Sequence, residues 1–221
     1  MEFVDRKDAG KRLANRLAKF KGTDAVVLAL PRGGIVPAAE VAKALRIPLG
    51  LVLVRKIGHP AYAEYAIGAV AGGEVPLYNE SIAAEIDSDW LRRAETSARQ
   101  LSRRRQQFYY EDDFKPPSVP GRTAIIIDDG IATGLTMEAA VRAISRQQPE
   151  RTIVAVPVAP SDSIGRLQKL ADEVIVLDDP SQFLGAVGAH YQQFKQINDE
   201  EVKALLREVQ HAIHQTASSN H

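Results

Sequence analysis

Apolar runs that are continuous rather than alternating recur along this chain, with turns and helical patterns between them, and that order leaves few architectures open. The runs are Ala25–Leu30, Leu49–Arg55, Thr123–Asp128, Thr152–Pro157 and Glu173–Leu177; helical patterns follow at Val36–Leu45, Gly134–Arg146 and Ser161–Ala171. A strand that is apolar on both faces must be covered on both faces, as in sheets built from strand–helix–strand crossovers. Such crossovers are right-handed and place strands in parallel, so the expected fold is α/β: a five-stranded parallel core sheet flanked by helices. With 221 residues, 45% of them hydrophobic, the chain has the core for a single domain over 1–221. An opening helix is expected after Asp5 as N-cap, with Ala9, Leu13 and Leu17 on one face and Gly22 as the stop.

The alternation breaks between Lys56 and Pro120. Ile67–Gly73 is expected to form a short hairpin with Val75–Tyr78, and a helix to run over Asp89–Tyr109. On that helix Trp90, Leu91, Ala94, Ala98, Leu101, Phe108 and Tyr109 share an arc of about 100°, which makes one buried stripe. Arg92, Arg99 and Arg103 lie opposite, and Arg105 falls inside the arc, where its stem can lie on apolar surface with its head in water. Glu111–Pro120, with three prolines, reads as a linker back to the sheet, so residues 79–118 form a helical insertion docked on the core. The chain closes on a helix opened by Asn198-Asp199-Glu200-Glu201, with Gln215–His221 as a frayed tail.

Several function classes are excluded early. The chain has no cysteine, which removes a thiol nucleophile, a thiolate metal site and a disulfide scaffold together. Its 28 basic and 28 acidic residues cancel, which argues against electrostatic capture of nucleic acid or a membrane. No apolar stretch approaches the ~20 residues of a membrane span, and Met1–Arg6 lacks the layout of a signal peptide, so a cytoplasmic setting is expected. Arg103-Arg104-Arg105 reads as a solvated helix face, and His211 with His214 as a solvated helix end rather than a metal site.

The sharpest local signal is Ile125-Ile126-Ile127-Asp128-Asp129-Gly130-Ile131-Ala132-Thr133-Gly134-Leu135-Thr136-Met137. A buried strand runs into adjacent carboxylates, then a loop of small residues, then a helix start. Backbone N–H groups, a helix N-terminus and threonine hydroxyls together make an anion cradle. The carboxylates would repel a bare phosphate, so the ligand must also carry hydroxyl donors or a metal. A sugar phosphate with a free diol meets both conditions.

This stretch resembles the phosphoribosyl-pyrophosphate (PRPP) motif of the type I phosphoribosyltransferases. The resemblance implies that Asp128 and Asp129 hold the ribose hydroxyls, that Ala132, Thr133, Gly134, Leu135 and Thr136 wrap the 5′-phosphate, and that Gly130 also belongs to the PRPP-binding set. Leu30-Pro31-Arg32-Gly33-Gly34-Ile35 resembles the family's pyrophosphate loop, which implicates Arg32, Gly33 and Gly34. Arg55-Lys56-Ile57-Gly58 matches the place where the family opens a mobile loop with a basic residue, here Lys56. The aromatic group Phe183, His190, Tyr191 and Phe194 lies where the family often builds a hood over the acceptor, and an aromatic cluster is more often core than platform. The layout, insertion included, is similar to a bacterial subgroup of the family with no assigned acceptor. Ala132 stands where members acting on 6-oxopurines carry an aspartate, which argues against hypoxanthine and guanine.

The resemblance implies Mg²⁺-dependent transfer of a 5-phosphoribosyl group from PRPP to a nitrogenous base, releasing pyrophosphate, with Asp128, Asp129 and Lys56 as the catalytic set. Mg²⁺ is expected on pyrophosphate and ribose oxygens, touched by Asp128 and Asp129 at most indirectly. PRPP and a small-molecule acceptor are the expected partners, with a homodimer expected and neither nucleic acid nor membrane. The alternative is a non-catalytic PRPP- or nucleotide-sensing module, since one fold hosts enzymes and regulators; a phosphosugar hydrolase is a third.

Overall fold

The computed structural model describes residues 2–62, 65–71, 76–110 and 115–218. Its centre is a five-stranded parallel sheet in the order β2-β1-β6-β7-β8, made of β1 (Ala25–Ala29), β2 (Leu49–Leu51), β6 (Thr123–Ile127), β7 (Arg151–Val156) and β8 (Glu173–Val176). Between the second and sixth strands come β3 (Val54–Gly58), β4 (Ala66–Ala71) and β5 (Leu77–Tyr78), which form a separate antiparallel sheet. The helices are α1 (Arg6–Arg16), α2 (Ile35–Leu45), α3 (Glu80–Ala83), α4 (Ser88–Tyr109), α5 (Leu135–Ser145), α6 (Ser161–Leu167) and α7 (Asp199–Ser218).

Successive strand side chains point to opposite faces, and the continuous apolar runs split into two cores accordingly. Val27, Ala29, Ile125, Ile127, Ile153 and Ala155 face α1, α2 and α7, where they meet Leu13, Val41, Leu45, Leu206 and Val209. Val26, Leu28, Ala124, Ile126, Val154 and Val156 face the other way, onto Met137, Val141 and Ile144 of α5 and Leu167 of α6. The C-terminal strand ends therefore present loops held between two packed layers, which is where ligand sites form in such sheets.

Asp5 caps α1 by accepting from the Asp8 N–H. The last helix opens with a reciprocal box, in which the Glu201 N–H donates to Asn198 Oδ1 and the Asn198 N–H to Glu201 Oε2. It continues to Ser218, so the frayed tail expected from Gln215 is helical up to that residue, and 219–221 lie outside the described residues. Leu49–Arg55 is not one strand. Beyond Val52, whose N–H donates to the Ala29 carbonyl, β1 has ended and offers nothing to pair with. The chain leaves the parallel sheet there, and Val54–Gly58 is taken up by β4 instead. The expected hairpin forms between β4 and β5, with Gly72–Val75 outside the described residues, as is the Glu111–Phe114 part of the linker.

α4 docks its stripe on this small sheet: Trp90, Leu91, Ala94 and Ala98 pack on Ile57, Ile67 and Val70. Further along, Tyr109 is buried in the main core, whereas Leu101 is 41% exposed and takes no part. Trp90 is only half-buried. Trp90→Ala should therefore cost roughly half the ~3–5 kcal/mol of a fully buried ring, about 1.5–2.5 kcal/mol in a urea titration.

Candidate functional site

Two loops meet at the C-terminal edge of the sheet, one after β1 and one after β6. The first, Leu30–Gly34, turns into α2 with its Pro31–Arg32 peptide cis, and the Gly34 N–H donates to the Leu30 carbonyl. It rests directly on the acidic pair. A Cβ on Gly33 would lie 1.9 Å from Asp129 Oδ2, and one on Gly34 would lie 2.8 Å from Asp128 Oδ1. Glycine at both positions is thus a demand of the contact, because no side chain fits between the loops.

Burial, and then the neighbouring charge of Asp129, pushes the Asp128 carboxyl well above the usual carboxylate range. Its Oδ1 accepts the Asp129 N–H at 2.8 Å. Asp129 is held from three sides. Arg6 Nε donates to its Oδ2 at 2.6 Å, Tyr191 Oη donates to its carbonyl at 2.6 Å, and Gly33 packs against Oδ2. Past the pair, Gly130 lies against Val158 and Val187, and Ala132 and Thr133 are exposed. Gly134 takes a left-handed φ of 84° as it enters α5, and the helix begins with Glu138 N–H donating to its carbonyl. The N–H groups of that first turn have no acceptor within the helix, and with the Thr133 and Thr136 hydroxyls they could take an anion.

Arg166 of α6 braces this loop from behind. It donates through Nη2 to the Thr133 carbonyl at 2.5 Å and through Nε to Glu138 at 2.7 Å. The 178–195 segment, ahead of α7, lies against the site through the Tyr191 hydroxyl on Asp129 and Val187 beside Gly130. His190 Nε2 accepts the Leu184 N–H, which leaves the proton on Nδ1, 3.2 Å from Asp178 Oδ2. The Phe3 N–H donates to the His190 carbonyl and the Gln192 N–H returns to Phe3, tying the first residues to this segment. Of the aromatic group, His190 and Tyr191 are buried, with Tyr191 in a small core beside Phe3, Phe183 partly buried against it, and Phe194 partly exposed under the Arg6 guanidinium.

The structure brings Arg32, Gly33, Gly34, Asp128, Asp129 and the 130–136 loop to one edge. Arg32 is exposed, close enough to Asp199 to help hold that carboxyl below its usual range, where the Tyr109 hydroxyl and Arg105 outweigh the cost of burial. Lys56 stands on the separate antiparallel sheet, exposed on β3 opposite Ala69. Its neighbour Arg55 points the other way and lines, with Pro31, Arg104 and Arg105, a groove of about 410 Å³. Arg6 and Arg166 escape a reading of the sequence, as does the contact of Tyr191 with Asp129, since Tyr191 is legible there only as one of an aromatic group. For Arg6 there is one local sign: a cation in the first turn of a helix faces the positive end of the dipole, where it is disfavoured.

Among the described residues, no cluster of three or more His, Cys, Asp or Glu side chains could cage a metal ion. The acidic pair could instead face, through the water that Mg²⁺ keeps, an ion that arrives on a phosphorylated ligand. No described helix is long and apolar enough to cross a membrane.

The phosphoribosyl transferase domain model matches residues 4–193. A Mycobacterium tuberculosis protein named "Putative phosphoribosyl transferase Rv0571c" is 41% identical over 207 residues, which cover 92% of this chain and 46% of that one. The chain thus spans about half the length of the curated relatives it matches. The crystal structure of TT1426 from Thermus thermophilus shares 41% identity, covers 94% of this chain and 99% of its own, and superposes with a TM-score of 0.81.

Proposed function

The chain belongs to the phosphoribosyl transferase domain family, and on that footing we propose that it transfers a 5-phosphoribosyl group from PRPP to a nitrogenous base, releasing pyrophosphate. The observation that carries this is the direct contact between the two loops, Gly33 and Gly34 on Asp129 and Asp128. A pyrophosphate on the first loop and a ribose on the second would then be adjacent, as they are within one PRPP molecule.

In this mechanism the C1′–O bond to pyrophosphate breaks, the leaving group takes the electron pair, and a lone pair of the base nitrogen forms the new bond to C1′. The nitrogen then loses its proton to solvent water. Asp128 and Asp129 hold the ribose hydroxyls, and the 130–136 loop with the α5 N-terminus holds the 5′-phosphate. The Gly33 and Gly34 N–H groups and Arg32 hold the diphosphate, with Lys56 reaching it from β3. Positive charge develops on the ribose ring as the bond breaks, so rate enhancement comes from fixed geometry and from fixed negative charge beside the ring. Bound Mg²⁺ would neutralise charge on the departing pyrophosphate, with Asp128 and Asp129 contacting it at most through water. We extend the same proposal to a homodimer in the cytoplasm, which size-exclusion chromatography and cell fractionation check.

A thermal-shift series with Mg²⁺ present tests the assignment. PRPP at ~100 times its Kd should stabilise the fold by about 2.7 kcal/mol. Thr133→Val should weaken ribose 5-phosphate and PRPP alike, whereas Arg32→Ala should weaken PRPP and pyrophosphate and spare ribose 5-phosphate. Pyrophosphate release should require a base, and with Ala132 in the loop hypoxanthine and guanine should support little. Release without any base would point to hydrolysis, PRPP binding without release to a sensor, and no PRPP shift at all would end the assignment.

A further inference from the structure

The first turn of α1 carries a buried arginine whose contacts local structure does not require. Arg6 is 8% exposed, yet it sits at the first helical position, where the helix dipole opposes a cation. Its Nε donates to Asp129 Oδ2 at 2.6 Å, with the two side chains 9% and 13% exposed, and its Nη1 donates to the Lys195 carbonyl at 2.6 Å. The guanidinium lies 3.7 Å from the centre of the Phe194 ring. One residue from the start of the chain thus bridges the acidic pair and the 178–195 segment.

The oxygen it takes is also the one that Gly33 packs against. Asp129 Oδ2 is therefore pinned between a donor and a backbone, whereas Oδ1 is the oxygen Arg6 does not take and lies farther from Gly33, 3.2 Å from the same Cβ position. We infer that Arg6 is a positioning residue for ribose recognition: it fixes the Asp129 carboxylate so that its remaining oxygen accepts from the sugar diol, and it ties the 191–195 segment to that act. This rests on the reading that Asp129 holds ribose. Without the Arg6 charge, Asp129 would stand beside Asp128 with no ion pair to another described residue, and two close carboxylates resist both being ionised. The opposite role is an inhibitory latch, in which Arg6 occupies Asp129 until substrate displaces it; that role predicts tighter binding when Arg6 is removed.

Calorimetric titration in Mg²⁺ buffer, in the cold, separates these. The proteins are wild type, Arg6→Lys, Arg6→Met, Asp129→Asn and the Arg6→Met/Asp129→Asn double variant; the ligands are PRPP, ribose 5-phosphate and inorganic pyrophosphate. Arg6→Met should weaken PRPP and ribose 5-phosphate by about 10- to 100-fold, the range of one charge-assisted bond, and leave pyrophosphate within about twofold. Arg6→Lys should fall between, because an ammonium keeps the charge and loses the fork and the ring stacking. The double variant should bind no worse than Asp129→Asn alone, since both changes remove the same contact. Equal loss for all three ligands, unchanged ribose 5-phosphate binding in both Arg6 variants, or tighter binding in either overturns the inference. If Arg6→Met does not fold, Arg6→Lys decides by the same ligand comparison. Weak ribose 5-phosphate binding in Asp129→Asn with normal binding in Arg6→Met overturns the role of Arg6 alone. Normal binding in Asp129→Asn overturns the ribose reading and this inference with it.

Discussion

Gly33→Ala is expected to remove nearly all PRPP binding while adding a single methyl group. That carbon would lie 1.9 Å from Asp129 Oδ2 and 2.7 Å from its Cγ, well inside any tolerable contact. The carboxylate cannot step aside cheaply, because Arg6 and the Tyr191 hydroxyl hold the same residue. The Leu30–Gly34 loop must then move, and with it the N–H groups proposed to take the diphosphate. A loss of at least about 100-fold in PRPP affinity, some 2.7 kcal/mol, is expected by calorimetry, with ~1–3 kcal/mol of overpacking cost in a denaturant titration. Gly165→Ala is the matching control. A methyl there meets nothing within 4 Å on α6, and the substitution should stabilise by up to about 1 kcal/mol and leave PRPP binding unchanged. Normal PRPP affinity in Gly33→Ala would mean that the two loops do not form one site.

Isosteric changes at the adjacent carboxylates should shift stability in opposite directions. Asp129→Asn leaves Arg6 as a nearly buried charge without its counter-ion, which is expected to cost about 2–4 kcal/mol. Asp128→Asn removes a crowded charge and keeps an oxygen for the Asp129 N–H, and should stabilise the ligand-free protein by ~0.5–2 kcal/mol. Both should lose PRPP affinity by at least about tenfold. The pH dependence follows from the raised pKa of Asp128, whose burial and charged neighbour favour the protonated form in the fold. The folded state then binds a proton that the unfolded chain has released. This contribution to stability is complete below the ordinary carboxylate pKa and is lost as pH rises through the raised folded value. Melting temperatures across that window should show the decline in wild type and a flatter profile in Asp128→Asn. Equal and same-signed shifts for both variants would contradict the arrangement of Arg6, Asp129 and Asp128.

Some of this protein is written locally. The strands of the parallel sheet are legible because each is a contiguous apolar run, and burial on both faces needs no more than that run to be announced. Ala25–Ala29 and Thr123–Ile127 divide by residue parity between two cores, a division that the period-2 geometry of a strand imposes. The 128–136 loop is legible for the same reason, as carboxylates, small residues and a helix start fall within one turn of chain. Capping by Asp5 and the box at Asn198 and Glu201 also span only three residues each. Contacts between distant segments have no such signature. Arg6 and Asp129 are 123 positions apart, Tyr191 and Asp129 62, and Arg166 and Thr133 33, and no spacing rule links any of these pairs. The division of Leu49–Arg55 between two sheets likewise depends on where its neighbour β1 stops, which composition and periodicity do not encode. Local sequence determined which segments are strands, helices and anion-binding turns, because propensity, capping and hydrophobic period act over a few residues. Only the tertiary structure decided what stands beside the acidic pair, because that depends on how the layers close over the strand ends and bring α1, the 191–195 segment and α6 to the same edge.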